Sequence, residues 1–439
     1  MHRHVEPPSC HRSSPKNDRR GSAGDIEEDA EVPRALRFVL YFFLTGAALV
    51  SVPFVGSFGP VPTTDLLDLW VILFVVSTVL KRRIRTTATI FALMAYLLSR
   101  AIPALLTESP LIDFLQAYRW VFYLIAFALA IGQRWGPSRP LIGLTWALVG
   151  LATLKAALTA LFLGPGSRPG LFLENNFELA LFAGLVAVVY DRIGRSRIWL
   201  VVLLGVLTML AGSRSGAVAF VLIALYAIVR ANRLNALARY VLALAAPALI
   251  LIPLVVFTSR FAGSLAEIDR IRFAWIFLQE SADWTWVNWL FGTTPITPLS
   301  SSACSALAYY GELFASTGDG RCYSVILHAF VLRVLFDAGI LGLLLSIGVP
   351  LILLRRVRVP GTLTAVLLLI SFTNGLSVSG LNNPYVALPM LLALLLGAHF
   401  SEPAARIGSD GTNADVNRED STVKEACGSG SWVVQLRRS

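Results

Sequence analysis

Apolar runs of roughly 17 to 25 residues recur along this chain, each long enough to cross about 30 Å of hydrocarbon as a helix. Short polar or basic connections separate them. The runs do not alternate apolar with polar positions, which excludes the strands of a membrane barrel. The remaining structure that satisfies its own backbone groups in lipid is the helix. The pattern predicts twelve spans, near residues 35–56, 63–80, 86–106, 110–132, 141–163, 176–190, 197–211, 216–230, 240–258, 326–354, 361–378 and 384–400. The seventh and eighth are short, as for tilted, irregular or partly re-entrant segments. The predicted fold is all-α: a polytopic bundle of about twelve transmembrane helices, interrupted by one long loop over residues 259–327.

Composition agrees with this reading. Of 439 residues, 56% are hydrophobic and 15% charged, against about a quarter charged in soluble domains. The first apolar run is expected to act as an uncleaved signal-anchor, with no cleavable signal expected before it. The expected organisation is a tail over 1–34, a membrane domain over 35–400 and a second tail over 401–439. Both tails are rich in Ser, Gly, Pro, Asp and Arg and are expected to be disordered. His2, His4, Cys10 and His11 lie in the first tail, where a flexible setting argues against a metal site, and none is predicted.

The net charge of +10 would suit a nucleic-acid partner only if it formed one surface. Instead it is spread over alternate connections: Lys81-Arg82-Arg83-Ile84-Arg85; Arg134 and Arg139; Arg192, Arg195 and Arg197; Arg230, Arg233 and Arg239; Arg355, Arg356 and Arg358. No nucleic acid is therefore expected. By the positive-inside rule these loops and both termini are cytoplasmic. The 259–327 loop then lies on the opposite side, together with Arg168 and Arg214, the two exceptions among the other connections.

That side holds the candidate chemistry. Cys304 and Cys322 sit where oxidation is possible. They form either a disulfide, the favoured reading, or two separate thiols. Arg214, in Gly212-Ser213-Arg214-Ser215-Gly216, is either a phosphate contact or a snorkelling arginine at a helix end. Arg270 and Arg272 open a stretch through Leu278 with the pattern of an interfacial amphipathic helix. Trp284, Trp286 and Trp289 follow, as lipid anchors or as platforms for sugar faces. Glu174 and Glu178 share a helix face if that helix begins early; they could orient an acceptor hydroxyl or pair with arginines. His328, the histidine remote from both tails, is either a general base or an interfacial ring. Arg333 and Asp337, four apart, are spaced to pair inside the bundle.

In three features together the chain resembles the O-antigen ligase and O-antigen polymerase family of bacterial envelope glycosyltransferases. They are the Gly-Ser-Arg-Ser-Gly segment at 212–216, the arginine-bearing start of the long loop at 270–278 followed by Leu290-Phe291-Gly292, and His328 opening a span that continues Phe336-Asp337-Ala338-Gly339-Ile340-Leu341-Gly342. Ala329 stands where the family typically has a polar residue after the histidine. The likeness covers roughly residues 140–380. It implies a C-type-like membrane glycosyltransferase that uses a polyprenyl-diphosphate-linked glycan donor, with no cofactor, metal or nucleotide sugar. It assigns diphosphate binding to Arg214 and to one or both of Arg270 and Arg272; Arg168 and Glu174, in the outer connection before 176, are further substrate-contact candidates from their position alone. It assigns the base to His328.

The expected activity is polymerisation of undecaprenyl-diphosphate-linked repeat units of O-antigen or exopolysaccharide, at the periplasmic face of the bacterial inner membrane. A ligase that transfers the glycan to a lipid A-core acceptor is the alternative within the class. A secondary transporter is the alternative outside it, disfavoured because no internal repeat is visible and the distinctive polar residues lie at one boundary. The expected partners are the lipid-linked donor, a glycan or lipid A-core acceptor, and membrane lipid.

Overall fold

The computed structural model describes residues 30–81, 84–107, 109–164, 167, 170–230 and 269–397. The described chain is almost entirely helical. In order, the helices are α1 (Arg34–Ser51), α2 (Thr63–Leu80), α3 (Thr87–Leu106), α4 (Leu111–Leu129), α5 (Arg139–Leu163), α6 (Asn175–Val189), α7 (Arg197–Ala211) and α8 (Arg214–Arg230). Then come α9 (Asp269–Glu280), α10 (Trp286–Phe291), α11 (Ser301–Ala306), α12 (Phe330–Arg356), α13 (Gly361–Gly375) and α14 (Pro384–Leu395). Among the described residues, seven helices are long and apolar enough to cross a membrane: α1 to α5, α7 with its preceding turn, and α12. Phe42, Phe91, Leu106, Leu161 and Trp199 are among the large apolar side chains left exposed on these helices. Surfaces of that kind suit lipid and would aggregate in water. The predicted 240–258 span, both predicted tails apart from residues 30–34, and the start of the long loop up to residue 268 lie outside the described residues.

The short helices α6 and α14 form the buried heart of the bundle, with α13 packed on it by one face. Every residue of α14 and nearly every residue of α6 is buried, packed among α4, α5 and α8. This explains their continuous apolarity without spanning length: a helix apolar all round is one covered all round.

The basic connections gather at one end. There a two-residue parallel pair joins β1 (Ala30–Glu31) to β2 (Gln133–Arg134). Arg37 donates to the Trp135 carbonyl at 2.6 Å and pairs with Glu31 at 2.8 Å. Arg192 donates to the Val188 and Leu396 carbonyls, Arg230 meets Asp191, and Arg356 reaches the Arg85 carbonyl. The starts of α6, α8, α12 and α14 lie at the other end.

Helix α12 begins four residues later than the apolar pattern predicts, because Ser324–Leu327 winds as a 3-10 turn and His328 breaks it. It is broken again at Gly339 (φ 66°). A Cβ on Gly339 would lie 2.6 Å from the Gly292 nitrogen, and one on Gly292 would lie 2.5 Å from the Asp337 carbonyl carbon, so the two backbones touch only as glycines. Thr293 donates its backbone N–H to the Phe336 carbonyl at 2.8 Å, and the Tyr118 hydroxyl donates to the Asp337 carbonyl at 2.9 Å. The carbonyls freed by the break thus find partners inside protein, as non-helical backbone at such depth requires. Arg333 and Asp337 do not form the expected pair. Arg333 donates to the Gln116 carbonyl, and Asp337 accepts from the Ser324 hydroxyl at 2.5 Å, so each is drawn to a partner outside its own helix.

The described part of the long loop has its own small core. Phe273, Ile276 and Phe277 of α9 pack against Leu299, Leu307, Ile326, Leu327 and Phe336. Cys304 and Cys322 are bonded within it, with Cα atoms 5.6 Å apart. Trp284 and Trp289 form an aromatic cluster with Phe277, whereas Trp275 and Trp286 stand exposed. Trp289 joins this cluster by one face while staying exposed on the other.

Candidate functional site

His328 ends the 3-10 turn in a left-handed conformation (φ 47°, ψ 2°), which costs a residue bearing a Cβ of order 1–3 kcal/mol. Surrounding structure enforces it. Leu327 and Ala329, on either side, are buried, and the next residue, Phe330, donates its N–H to the Val378 carbonyl at 2.9 Å. A carbonyl from the α13–α14 connection thus serves the start of α12. The imidazole stands edge-on to Phe177 and stacks on Tyr310, both at 6.3 Å between ring centres. Its Nε2 lies 3.9 Å from a Glu174 carboxylate oxygen, closer to an ion-pair contact than to a formed hydrogen bond.

Glu174 is the residue immediately before α6. The His328 imidazole, first, and then the Asn176 amide and the Arg270 guanidinium hold its carboxyl below the usual range, against the opposing effect of burial. Arg270 therefore lies near the His328–Glu174 pair. Its neighbour Arg272 is exposed, with its guanidinium 5.5 Å from the centre of the Tyr309 ring. Helix phase decides this: Phe273 is buried against Tyr310, which stacks on His328. Arg270 lies one turn before Phe273 on the same face, and Arg272 does not.

Asn176 joins the pair to the Arg214 segment. Its amide nitrogen donates to Glu174 at 2.6 Å, and its amide oxygen accepts from Ser213 at 2.7 Å and from Ser215 at 2.9 Å. Its backbone carbonyl accepts from Asn374 of α13 at 2.9 Å. Ser213 also accepts from the Gly216 N–H at 3.1 Å and caps α8. The two serines around Arg214 thus have definite tasks, and Arg214 is held half-buried at the start of α8. Asn176 and Asn374 are parts of the site that the sequence did not single out. Polar residues at the ends of apolar runs look like ordinary boundaries until their partners are known.

Glu178 is not in the site. It is buried and accepts backbone N–H groups from Leu171, Phe172 and Leu173. The shared face with Glu174 does not form, because Glu174 precedes the helix. Arg168 lies outside the described residues, as do His2, His4, Cys10 and His11.

The assembly is an imidazole beside a carboxylate, with Arg270 close by and Arg214 on the adjoining helix start. Both members of the pair keep solvent access, His328 with 25% of its side chain exposed and Glu174 with 45%. Chemically it can accept a proton and hold an anion. No family model matches the chain, and no curated protein matches it.

Proposed function

We propose that this protein is a membrane glycosyltransferase that polymerises polyprenyl-diphosphate-linked glycan repeat units. The observation that carries the reading is that His328, Glu174, Arg270 and the Arg214 segment, scattered over residues 174–328, meet at one end of the bundle. In the proposed reaction an acceptor sugar hydroxyl attacks the anomeric carbon of the donor. The C–O bond to the lipid diphosphate breaks, the diphosphate leaves with the electron pair, and His328 takes the hydroxyl proton. Glu174 orients the imidazole and stabilises the imidazolium that forms. Arg270 and Arg214 hold the diphosphate and its growing negative charge.

The basic end faces the cytoplasm under this reading, with both termini there, and the site and residues 259–327 face the periplasm of a bacterial inner membrane. Twelve spans complete that topology, the shorter helices α6, α8, α13 and α14 being counted among them and the ninth placed at 240–258. The glycan ladder of a strain lacking the protein tests the proposal. Products of a single repeat are expected. Free lipid-linked polymer beside bare lipid A-core would instead identify a ligase, and an unchanged ladder would remove the proposal.

A further inference from the structure

Lys155 and Glu178 are two oppositely charged groups, 1% and 3% exposed, that the proposed chemistry does not use. Both act on one short strap, Gly170–Leu173, which leads directly into Glu174. Lys155 of α5 donates to the Gly170 carbonyl at 2.7 Å, to the Ser57 carbonyl at 2.9 Å and to the Ser51 hydroxyl oxygen at 2.8 Å. The Ser51 hydroxyl in turn donates to the Leu171 carbonyl. Glu178 of α6 accepts the N–H groups of Leu171, at 2.7 Å, of Phe172, and of Leu173, at 2.5 Å. Phe172 stacks on Tyr385 of α14 with ring centres 6.1 Å apart. A cation on the Gly170 carbonyl, a hydroxyl on the Leu171 carbonyl and an anion on the three following amides therefore hold the strap from both sides, where most loops would leave these groups to water. The arrangement is costly unless complete, since either charge alone would be stranded in a buried setting.

We propose that Lys155 and Glu178 are positioning residues that hold the Gly170–Leu173 strap and thereby set Glu174 against His328. This rests on the glycosyltransferase reading for its consequence, but not for its geometry. Two measurements on the full-length protein in lipid nanodiscs separate the two. The first is hydrogen exchange over residues 170–174. Glu178→Gln removes the charge that accepts three amides, and at least tenfold faster exchange is expected there, with little change in α12. Unchanged exchange would overturn the proposal. Glu178→Asp, which keeps the charge but shortens its reach, and Ser51→Ala carry the same test if Glu178→Gln does not accumulate.

The second is a double-mutant cycle read by glycan transfer. Glu178→Gln is expected to lower kcat about tenfold in the native protein, with KM for the donor little changed, and to add nothing in a Glu174→Gln background. Equal losses in both backgrounds would show that Glu178 acts elsewhere and would also overturn the proposal. A native protein that transfers no glycan would remove the functional reading and leave the exchange result to decide the strap.

Discussion

The two ends of this helical bundle use charge in opposite ways. At the basic end, arginines finish on acceptors of their own fold: Arg37 on Trp135 and Glu31, Arg192 on two carbonyls, Arg230 on Asp191. At the other end, Arg270 stands beside a carboxylate that itself faces an imidazole, and that imidazole is carried on a left-handed backbone. The first arrangement closes helix ends and marks a side of the membrane. The second concentrates proton-accepting and anion-holding groups at a half-open surface and keeps a strained residue there. The difference teaches that an arginine count says little about function in such a protein. What an arginine faces is decisive.

The largest effect should come from the imidazole. His328→Ala is expected to lower glycan transfer by at least about 100-fold, the usual worth of a general base, without lowering the amount of protein in the membrane. Activity within a fewfold of the native level would break the comparison at its centre.

Next come the two neighbouring arginines. Arg270→Ala should reduce transfer about 30-fold, near 2 kcal/mol for a charged contact, whereas Arg272→Ala should change it less than about threefold, because Arg272 lies exposed against Tyr309. Equal losses in the same transfer assay would show that both arginines serve the site.

The smallest effect concerns pH. Glu174 has its carboxyl pKa lowered in the fold. Its contribution to stability is therefore complete above the ordinary carboxylate value of about 4.3 and is lost as pH falls through the lower folded value. The carboxylate is 45% exposed, so solvent screening keeps that contribution below about 1 kcal/mol. Melting curves of the native protein and Glu174→Gln should differ slightly at neutral pH and converge in acid. A gap that widens in acid would reverse the sign and separate Glu174 from His328.

Much of the fold was legible in the order of residues. Long apolar runs satisfy their backbone groups in lipid as helices, and α1 to α5 and α7 lie on the runs that predict them, with α12 starting four residues late. The site was legible in part. His328 stood out by its isolation among histidines, and Arg214 by its Gly-Ser surroundings. The choice between Arg270 and Arg272 was not legible, since both fit one amphipathic pattern until the burial of Phe273 sets the phase. Glu174 and Glu178 looked alike at four-residue spacing. They part company because α6 starts between them, leaving one at the surface and burying the other beneath a strap. Asn176 carried no signal, because its importance lies in partners at 213, 215 and 374.

By itself the sequence determined the helical class, the division of the chain into apolar runs and basic connections, and the residue types available for chemistry. Those follow from local properties: length, hydropathy and charge. It took packing between distant segments to bring Glu174 to His328, to break α12 at Gly339 against Gly292, to send Arg333 and Asp337 to separate partners, and to set Lys155 and Glu178 on one strap. Each joins residues distant in the chain or depends on where a helix starts or breaks, and no local pattern records which carbonyl, amide or ring will arrive from elsewhere to complete a buried polar group.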